Sequence, residues 1–198
     1  IRFWKNLLKD YSAIKYYVKG YVDFCSKFIH FCNGLYTREK IPLLNQEYEV
    51  FISGSDQVFN PLCSGMDRTF FLDFVDDKNI KASYAASLGF SEIPDSCREY
   101  INLLSDFDFL SIREKSSASV LQSFLSHNNI KDHIDPTLLL TRSKWENIAD
   151  ESLCPSYKYL LIYAINEDKK MLKYAEKCAK AMGCKAIYLS DRYVKPIG

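Results

Sequence analysis

Short apolar runs alternate with helix-like stretches along most of the chain, and this alternation is the strongest constraint on its fold. Runs of strand length lie at Val50–Ile52, Ile80–Ser87, Phe107–Ile112, Ile130–Ile134, Tyr159–Ile165 and Ala186–Leu189. Helical spacing of apolar residues is found at Asp95–Leu104, Ser116–Ser126 and Asp168–Met182. Strands that alternate with helices form parallel sheets with helices on both faces. The sequence therefore predicts an α/β fold with a parallel sheet.

Residues at the helix boundaries agree with this prediction. Ser116 or Ser117 can cap the second of these helices, since a hydroxyl oxygen accepts a hydrogen bond from a free backbone N–H. Asn166 or Asp168 can cap the third, and Gly183 is placed to end it, because glycine readily adopts the left-handed conformation.

The first 33 residues carry aromatic and aliphatic side chains at three- and four-residue spacing, which predicts a helix that Gly20 can split in two. Residues 1–40 contain eight Lys or Arg against three Asp or Glu, a local net charge of +5. Two interpretations remain open. The aromatic stripe can pack against other helices, or the basic amphipathic face can dock on a membrane surface. No apolar run approaches the ~18–20 residues of a spanning helix.

A domain boundary is predicted at Asp150–Tyr157, a polar segment that contains Pro155 and precedes a new strand–helix–strand pattern. We therefore expect one α/β domain at 1–150, which includes the helix at 1–33, and the start of a second domain at 157–198. The chain begins at Ile1 and ends just after an apparent strand, so we expect a fragment of a longer protein.

Composition argues against several classes of site. The net charge of +1 gives no general attraction to nucleic acid. Seven cysteines occur at irregular spacing without a CxxC pair, as in a protein with reduced thiols. The three histidines, His30, His127 and His133, lack metal-ligand spacing and are interpreted as surface or core residues. No glycine-rich nucleotide motif is present.

Small and polar residues follow four of the predicted strands at their carboxyl ends. They are Ser53, Gly54, Ser55, Asp56, Gln57 and Asn60 after the first strand, Ser87 and Gly89 after the second, Ser111, Arg113 and Glu114 after the third, and Asp135, Pro136 and Thr137 after the fourth. Ligands of open α/β sheets bind at this edge. If the strands are neighbours, these groups converge there.

The residue types at these strand ends suit an anion. Gly54 and Gly89 allow backbone N–H groups to approach a ligand, and serine hydroxyls near helix N-termini favour negative charge. Arg113 can bind a carboxylate or phosphate through two N–H groups. Two structural alternatives stay open: Ser55 or Asp56 can cap a helix, and Arg113 can pair with Glu114 on the surface.

Several of these segments occur in a specific order. FISGSDQVFN, IKASYAASLG, FDFLSIREKSS and IDPTLLL are followed by Trp145 and then YLLIY. This order resembles that of the polysaccharide pyruvyl transferase family, over roughly two thirds of the chain, from about Thr37 to Ile165. Trp is common in that family at the position of Phe59, which is a change from one aromatic residue to another.

The resemblance implies two Rossmann-like halves that face a cleft, the GT-B architecture, here truncated. It implies transfer of the enolpyruvyl unit of phosphoenolpyruvate to a sugar of a cell-surface polysaccharide, often lipid-linked, which forms a pyruvate ketal. No cofactor other than this donor substrate is implied. The expected location is the cytoplasm, at the inner face of the membrane if residues 1–33 dock there.

The resemblance also implies roles for the strand-end residues. Asp56 is expected to orient the acceptor hydroxyl or act as a base, and Arg113 to stabilise the departing phosphate; a purely structural role for Asp56 stays open. Substrate-binding residues are expected to be Ser53, Gly54, Ser55, Gln57, Asn60, Ser87, Gly89 and Arg113.

Two segments typical of the family are absent from the chain: an opening strand with an Asn-Tyr-Gly-type turn, and a Ser-Phe-His-Gly-type segment in the second half. The histidine of the latter is a candidate general acid. We therefore expect the proton donor to lie outside this chain and the chain alone to be inactive.

Two other functions remain open at this point. A GT-B glycosyltransferase that uses a nucleotide sugar would have the same fold, because a fold does not determine a function. A non-catalytic domain that docks on a membrane through residues 1–33 would explain the basic aromatic helix.

Overall fold

A computed structural model describes residues 18–31, 34, 36–125, 129–164 and 168–189, and the backbone of Val194–Ile197. The chain divides into two compact units. The larger unit is Gly34–Ile148, and the other contains Ile1–Asn33 and Ala149–Gly198. The predicted domains at 1–150 and 157–198 stay a prediction.

Four short strands organise the larger unit. They are β1 (Val50–Ser53), β2 (Ile80–Ser83), β3 (Leu110–Ile112) and β4 (Ile130–Asp132). β1 pairs with β2 and β3 with β4, both in parallel. Isolated parallel bridges at Ala82–Phe109 and Ala86–Ile112 join β2 to β3. The predicted α/β character and parallel pairing are confirmed, and the carboxyl ends of all four strands lie at one edge.

Helices connect these strands. The α-helices are α2 (Arg98–Asn102), α3 (Lys115–Phe124) and α4 (Arg142–Glu146). Short 3₁₀ helices occupy Ile41–Gln46, Arg68–Phe71, Asp95–Cys97, Leu103–Asp106 and Pro136–Leu139. The unit β3–α3–β4 is a parallel strand–helix–strand crossover, which is why α3 buries Ala118 and Leu121 against the sheet side of the core.

The core of this unit is built around aromatic side chains. Phe59 is fully buried, stacks on Phe71 with ring centroids 5.5 Å apart, and meets Phe107 edge-on at 5.6 Å. Ile101 and Leu121 from α2 and α3 belong to the same buried cluster. Such aromatic pairs contribute about 0.5–1.5 kcal/mol beyond area burial. The aromatic residue at position 59 is therefore a packing residue that holds the segment after β1 on the core.

The core lies on one face of the strands. In β1, Phe51 is buried whereas Ile52 is 64% exposed, and Val50, Ile80 and Phe109 are exposed as well. The expectation of helices on both faces is wrong for the part of the chain that the structure describes. The strands carry apolar residues on both faces, but α2 and α3 contribute to a core on only one of these faces.

An ion cluster fixes the segment before β1. Arg38 donates to Asp73 from Nη1 and Nη2, at 2.6 and 2.5 Å, and Arg68 Nε donates to the same carboxylate at 3.0 Å. Arg68 also reaches Glu99 at 2.8 Å, at the start of α2. Burial of the Asp73 carboxyl acts to raise its pKa, but hydrogen bonds from the two arginines outweigh burial and lower it.

The other unit contains a helix at residues 18–28 (α1), a 3₁₀ helix at Glu151–Leu153, β5 (Tyr159–Tyr163), α5 (Lys169–Ala181), β6 (Lys185–Leu189) and β7 (Val194–Ile197). β5 and β6 pair in parallel, as predicted. β7 pairs antiparallel to β6, so this sheet is mixed, which the alternation of strands and helices did not predict.

The ends of the helices were predicted with mixed success. Asp168 caps α5 by accepting a hydrogen bond from the Lys170 amide at 2.7 Å, and Gly183, with φ of 62°, follows the helix. The serine cap predicted for α3 is wrong: Glu114 occupies the cap position without a side-chain bond to the backbone. The chain is helical through Gly20, so no break occurs there within residues 18–28.

Two further observations concern the described residues only. None of their helices is long and apolar enough to span a membrane. The six cysteines among them are free thiols: Cys25, Cys63, Cys97, Cys154, Cys178 and Cys184.

Candidate functional site

The loop after β1 runs along the carboxyl ends of the neighbouring strands. The Ser55 hydroxyl lies between the Ala85 carbonyl oxygen, at 3.0 Å, and Asp135 Oδ2, at 3.3 Å. Asp56 adopts a left-handed conformation, with φ of 62°, and its side chain is 88% exposed. No helix starts within residues 54–67. The alternative that Ser55 or Asp56 caps a helix is therefore wrong.

Arg113 follows β3 and lies among three carboxylates. Its Nε is 3.0 Å from Glu114, its Nη1 is 3.2 Å from Asp135, and its Nη2 is 3.9 Å from Asp56. Hydrogen bonds to Glu114 and then to Asp135 raise the pKa of the Arg113 guanidinium, against the effect of burial. The predicted surface pair with Glu114 is present, but it is one part of a larger cluster.

Asp135 connects this cluster to the segment after β4. It accepts hydrogen bonds from the Thr137 hydroxyl at 2.7 Å and the Thr137 amide at 2.9 Å. These bonds, with smaller contributions from Arg113 and Ser55, lower the pKa of the Asp135 carboxyl to about 2. Asp135 is therefore a stable negative charge at neutral pH.

A chain of polar side chains leads from the sheet interior to His133. The buried Ser111 amide donates to Ser83 Oγ at 2.8 Å, and Ser111 Oγ accepts from the Ala85 amide at 3.0 Å. Ser111 Oγ is also 2.8 Å from His133 Nδ1. Its hydroxyl hydrogen needs an acceptor, and Nδ1 is the one that the described residues provide. This geometry favours the tautomer with hydrogen on Nε2.

His133 also contacts an aromatic ring. It is exposed and stacks on Tyr84, with ring centroids 5.8 Å apart and an interplanar angle of 24°. The backbone of Tyr84 in turn lies against the loop after β1. A Cβ on Gly54 would be only 2.4 Å from the Tyr84 carbonyl oxygen. The absence of a side chain at Gly54 allows this close approach.

These contacts define one surface at the carboxyl ends of β1 to β4, which we call the strand-end rim. It consists of Ser55, Asp56, Tyr84, Arg113, His133 and Asp135. Four of the residues that the sequence analysis placed at strand ends, Ser55, Asp56, Arg113 and Asp135, are brought together in it.

The other predicted residues lie in different surroundings. Gln57 Oε1 accepts from Asn60 Nδ2 at 3.1 Å, and a Cβ on Gly89 would be 2.1 Å from that same oxygen. Ser87 is buried and donates its amide to the Asp56 carbonyl at 2.7 Å. These residues fasten the loop to the segment after β2.

Ser53 is directed away from the strand-end rim. It is buried, and its hydroxyl donates to the Phe70 carbonyl at 2.7 Å, within the interior of the unit.

The sequence interpretation did not include Tyr84 and His133 in the site. Tyr84 lies inside the predicted strand Ile80–Ser87, so its position gave no signal. His133 is one residue before the end of the predicted strand Ile130–Ile134 and precedes Asp135 by two positions, so an extended chain places His133 and Asp135 on one side. That spacing was the available signal. Among the described residues no group of three or more His, Cys, Asp or Glu could hold a metal ion.

One of three comparisons with known proteins finds a match. No curated protein and no solved structure matches the chain significantly. The family model described as polysaccharide pyruvyl transferase matches residues 2–192, a longer range than the one identified from the motifs. This match includes all six residues of the strand-end rim. The chain belongs to the polysaccharide pyruvyl transferase family.

Proposed function

We propose that the protein transfers the pyruvyl unit of phosphoenolpyruvate to a sugar of a cell-surface polysaccharide and forms a pyruvate ketal. The observation that carries this proposal is the family match over residues 2–192. The polar groups of the strand-end rim support it, since parallel α/β sheets bind ligands at this edge. We further propose a GT-B arrangement of two Rossmann-like halves and a cytoplasmic location.

The reaction sets clear chemical requirements. Protonation of the methylene carbon of phosphoenolpyruvate leaves positive charge at the neighbouring carbon, which a sugar hydroxyl attacks. The bond to the phosphate oxygen then breaks, and a second hydroxyl closes the ketal while phosphate leaves. One group must orient the hydroxyls, and cations or N–H groups must stabilise the departing phosphate.

The assay is release of inorganic phosphate from phosphoenolpyruvate in the presence of a panel of polysaccharide and lipid-linked acceptors. It is run on the chain and on the product of the complete reading frame of its gene. We expect release to require both substrates. Arg113→Ala is expected to lower kcat/KM at least tenfold, whereas Arg142→Ala, in an exposed pair with Glu146, stays within twofold.

Calorimetry with UDP- and GDP-sugars and with phosphoenolpyruvate distinguishes this proposal from a GT-B glycosyltransferase that uses a nucleotide sugar. Binding of the nucleotide sugars in preference to phosphoenolpyruvate, together with no phosphate release, would replace the proposal by a glycosyltransferase function.

A peripheral membrane contact through residues 1–33 is proposed as well. In α1 and just after it, Tyr21, Val22, Ile29 and Phe31 are exposed. Exposed apolar residues on a basic segment suit an anionic membrane surface. We expect co-sedimentation with anionic vesicles that weakens with salt and is lost when Lys5, Lys9, Lys15 and Lys19 are replaced by glutamine. Sedimentation that does not change with these replacements would contradict the contact.

A further inference from the structure

The charges of the strand-end rim determine what it can bind. Within the rim the guanidinium of Arg113 lies beside the carboxylates of Asp56 and Asp135, and it also binds the adjoining Glu114. One positive and three negative charges leave a formal charge of −2 around Arg113. Glu114 Oε2 is buried and has no hydrogen-bond partner among the described residues. An anion that approached Arg113 would meet net repulsion.

Phosphoenolpyruvate, which carries both a carboxylate and a phosphate, is a poor match for this surface. It would have to displace Asp135 and Glu114 from the guanidinium before it could bind there, and these bonds are 3.2 and 3.0 Å long. The low pKa of Asp135 keeps that carboxylate charged throughout the neutral range.

A sugar matches the same groups. Its hydroxyls are neutral and both donate and accept hydrogen bonds. The exposed carboxylate of Asp56 accepts from hydroxyls, while Arg113 and His133 Nε2 donate. The ring pair of Tyr84 and His133 offers an apolar surface of the kind on which the C–H face of a sugar packs.

From these observations we infer that the strand-end rim is the subsite for the acceptor sugar, and that the donor anion binds at a different place. The terms acceptor and donor in this inference rest on the proposed function. It assigns Asp56 and His133 to the sugar hydroxyls and makes Arg113 the residue that holds the carboxylates in position.

Saturation-transfer NMR on the intact chain tests this inference with methyl glycosides of glucose, galactose, mannose and N-acetylglucosamine as probes. We expect at least one glycoside to bind at millimolar concentration. Asp56→Asn, which keeps a residue type that tolerates the left-handed conformation, and His133→Ala should each weaken binding at least fivefold.

The matched control is Asp76→Asn. Asp76 precedes β2, at the amino end of the strands, and its exposed carboxylate is near Lys78 at 4.0 Å. It removes the same charge as Asp56→Asn, and glycoside binding should stay unchanged. Circular dichroism checks that each variant is folded.

A second arm uses phosphoenolpyruvate alone and follows the His133 ring signals, with His30 as the reference histidine. We expect no shift of the His133 signals. If phosphoenolpyruvate shifts them and Asp56→Asn tightens its binding, the rim is the donor site and the inference is overturned while pyruvyl transfer stands. The inference is also overturned if no glycoside binds up to 50 mM, a concentration roughly ten times the expected dissociation constant in the millimolar range.

The failure of the proposed function would look different. Glycosides would bind in a manner that depends on Asp56 and His133, yet no phosphate would be released from phosphoenolpyruvate with any acceptor. The rim would then remain a sugar site of a different transferase.

Discussion

Gly54 is the residue at which the loop after β1 comes nearest to the segment after β2. A Cβ there would lie 2.4 Å from the Tyr84 carbonyl oxygen, and that atom is backbone, so it cannot move aside cheaply. Gly65 also has a positive φ, of 67°, but nothing lies within 4 Å of its Cβ position. At Gly54, with φ of 127°, a side chain would bring backbone strain and this contact, whereas at Gly65 it would bring strain alone.

Gly54→Ala is expected to lower the free energy of unfolding by about 3–5 kcal/mol, since backbone strain and overpacking add. Gly65→Ala, which has the strain alone, should cost about 1–2 kcal/mol. Urea denaturation followed by circular dichroism measures both. Equal losses in the two variants would show that the approach to Tyr84 is not a tight contact.

The lowered pKa of Asp73 predicts how the stability of the protein depends on pH. Its pKa is lowered in the folded protein, so the folded state binds fewer protons than the unfolded state as acid is added. The stabilisation is complete above the unfolded pKa of about 3.9 and is lost as pH falls below it. Asp73→Asn should lower the free energy of unfolding by about 1–3 kcal/mol at pH 7, because Arg38 and Arg68 lose their charged partner.

The difference between wild type and Asp73→Asn is expected to shrink in denaturation curves recorded below about pH 4. Asp95→Asn breaks an exposed pair with Arg98 and should change stability by no more than about 0.5 kcal/mol at pH 7. A difference for Asp73→Asn that stays constant down to pH 2.5 would argue against the ion cluster as its source.

At the residue scale, the sequence identified Arg113 and Asp56 but not their electrostatic setting. Residue type and strand-end position are local properties, so they could be read from the chain. The positive charge of Arg113 is compensated by Asp135, 22 residues further along, and by Glu114 in its observed rotamer. Such tertiary pairing has no periodic signal in the sequence.

At the scale of elements, the register of β1 is the most informative feature. Phe51 is buried and Ile52 is exposed, although both are large and apolar, because successive side chains of a strand point to opposite faces. The sequence predicted the strand but not which of its faces meets the core.

Phe51→Ala is expected to cost about 3–5 kcal/mol, since it removes a ring that contacts Phe74 in the buried cluster. Ile52→Ala on the opposite face should cost no more than about 1 kcal/mol. Chemical denaturation of the two variants, one residue apart, tests the register directly. Comparable losses would mean that the exposed face is covered.

The strands differ from the prediction in two respects. β2 was expected to continue to Ser87 but ends at Ser83, because Ala85 has a positive φ of 46° that a regular strand does not allow. β7 pairs antiparallel to β6, and the alternation of polarity along a sequence does not specify strand direction.

At the scale of the whole molecule, the order β1, β2, β3, β4 places β2 and β3 inside the parallel arrangement. The Ser83 and Ala86 amides donate to the carbonyls of Phe109 and Ser111 at 2.9 and 3.1 Å. The His133 amide donates to the Ile112 carbonyl at 3.0 Å, but His133 is an exposed residue that follows β4.

Hydrogen exchange measured by NMR should therefore find the Ser83 and Ala86 amides at least tenfold slower than the His133 amide, because inner strands open only with the larger structural unit. Similar protection at all three amides would mean that β4 is held as firmly as the inner strands.

The strand order has a consequence for how this chain is made. Each strand of the larger unit pairs with the strand that precedes it in the chain, so every pairing partner has already left the ribosome when the next strand emerges. A nascent chain that has emerged as far as Phe124 holds β1, β2 and β3 with both neighbours of β2 in place. Synthesis from the N-terminus can therefore assemble this unit strand by strand, without a period in which an early strand waits for a distant partner.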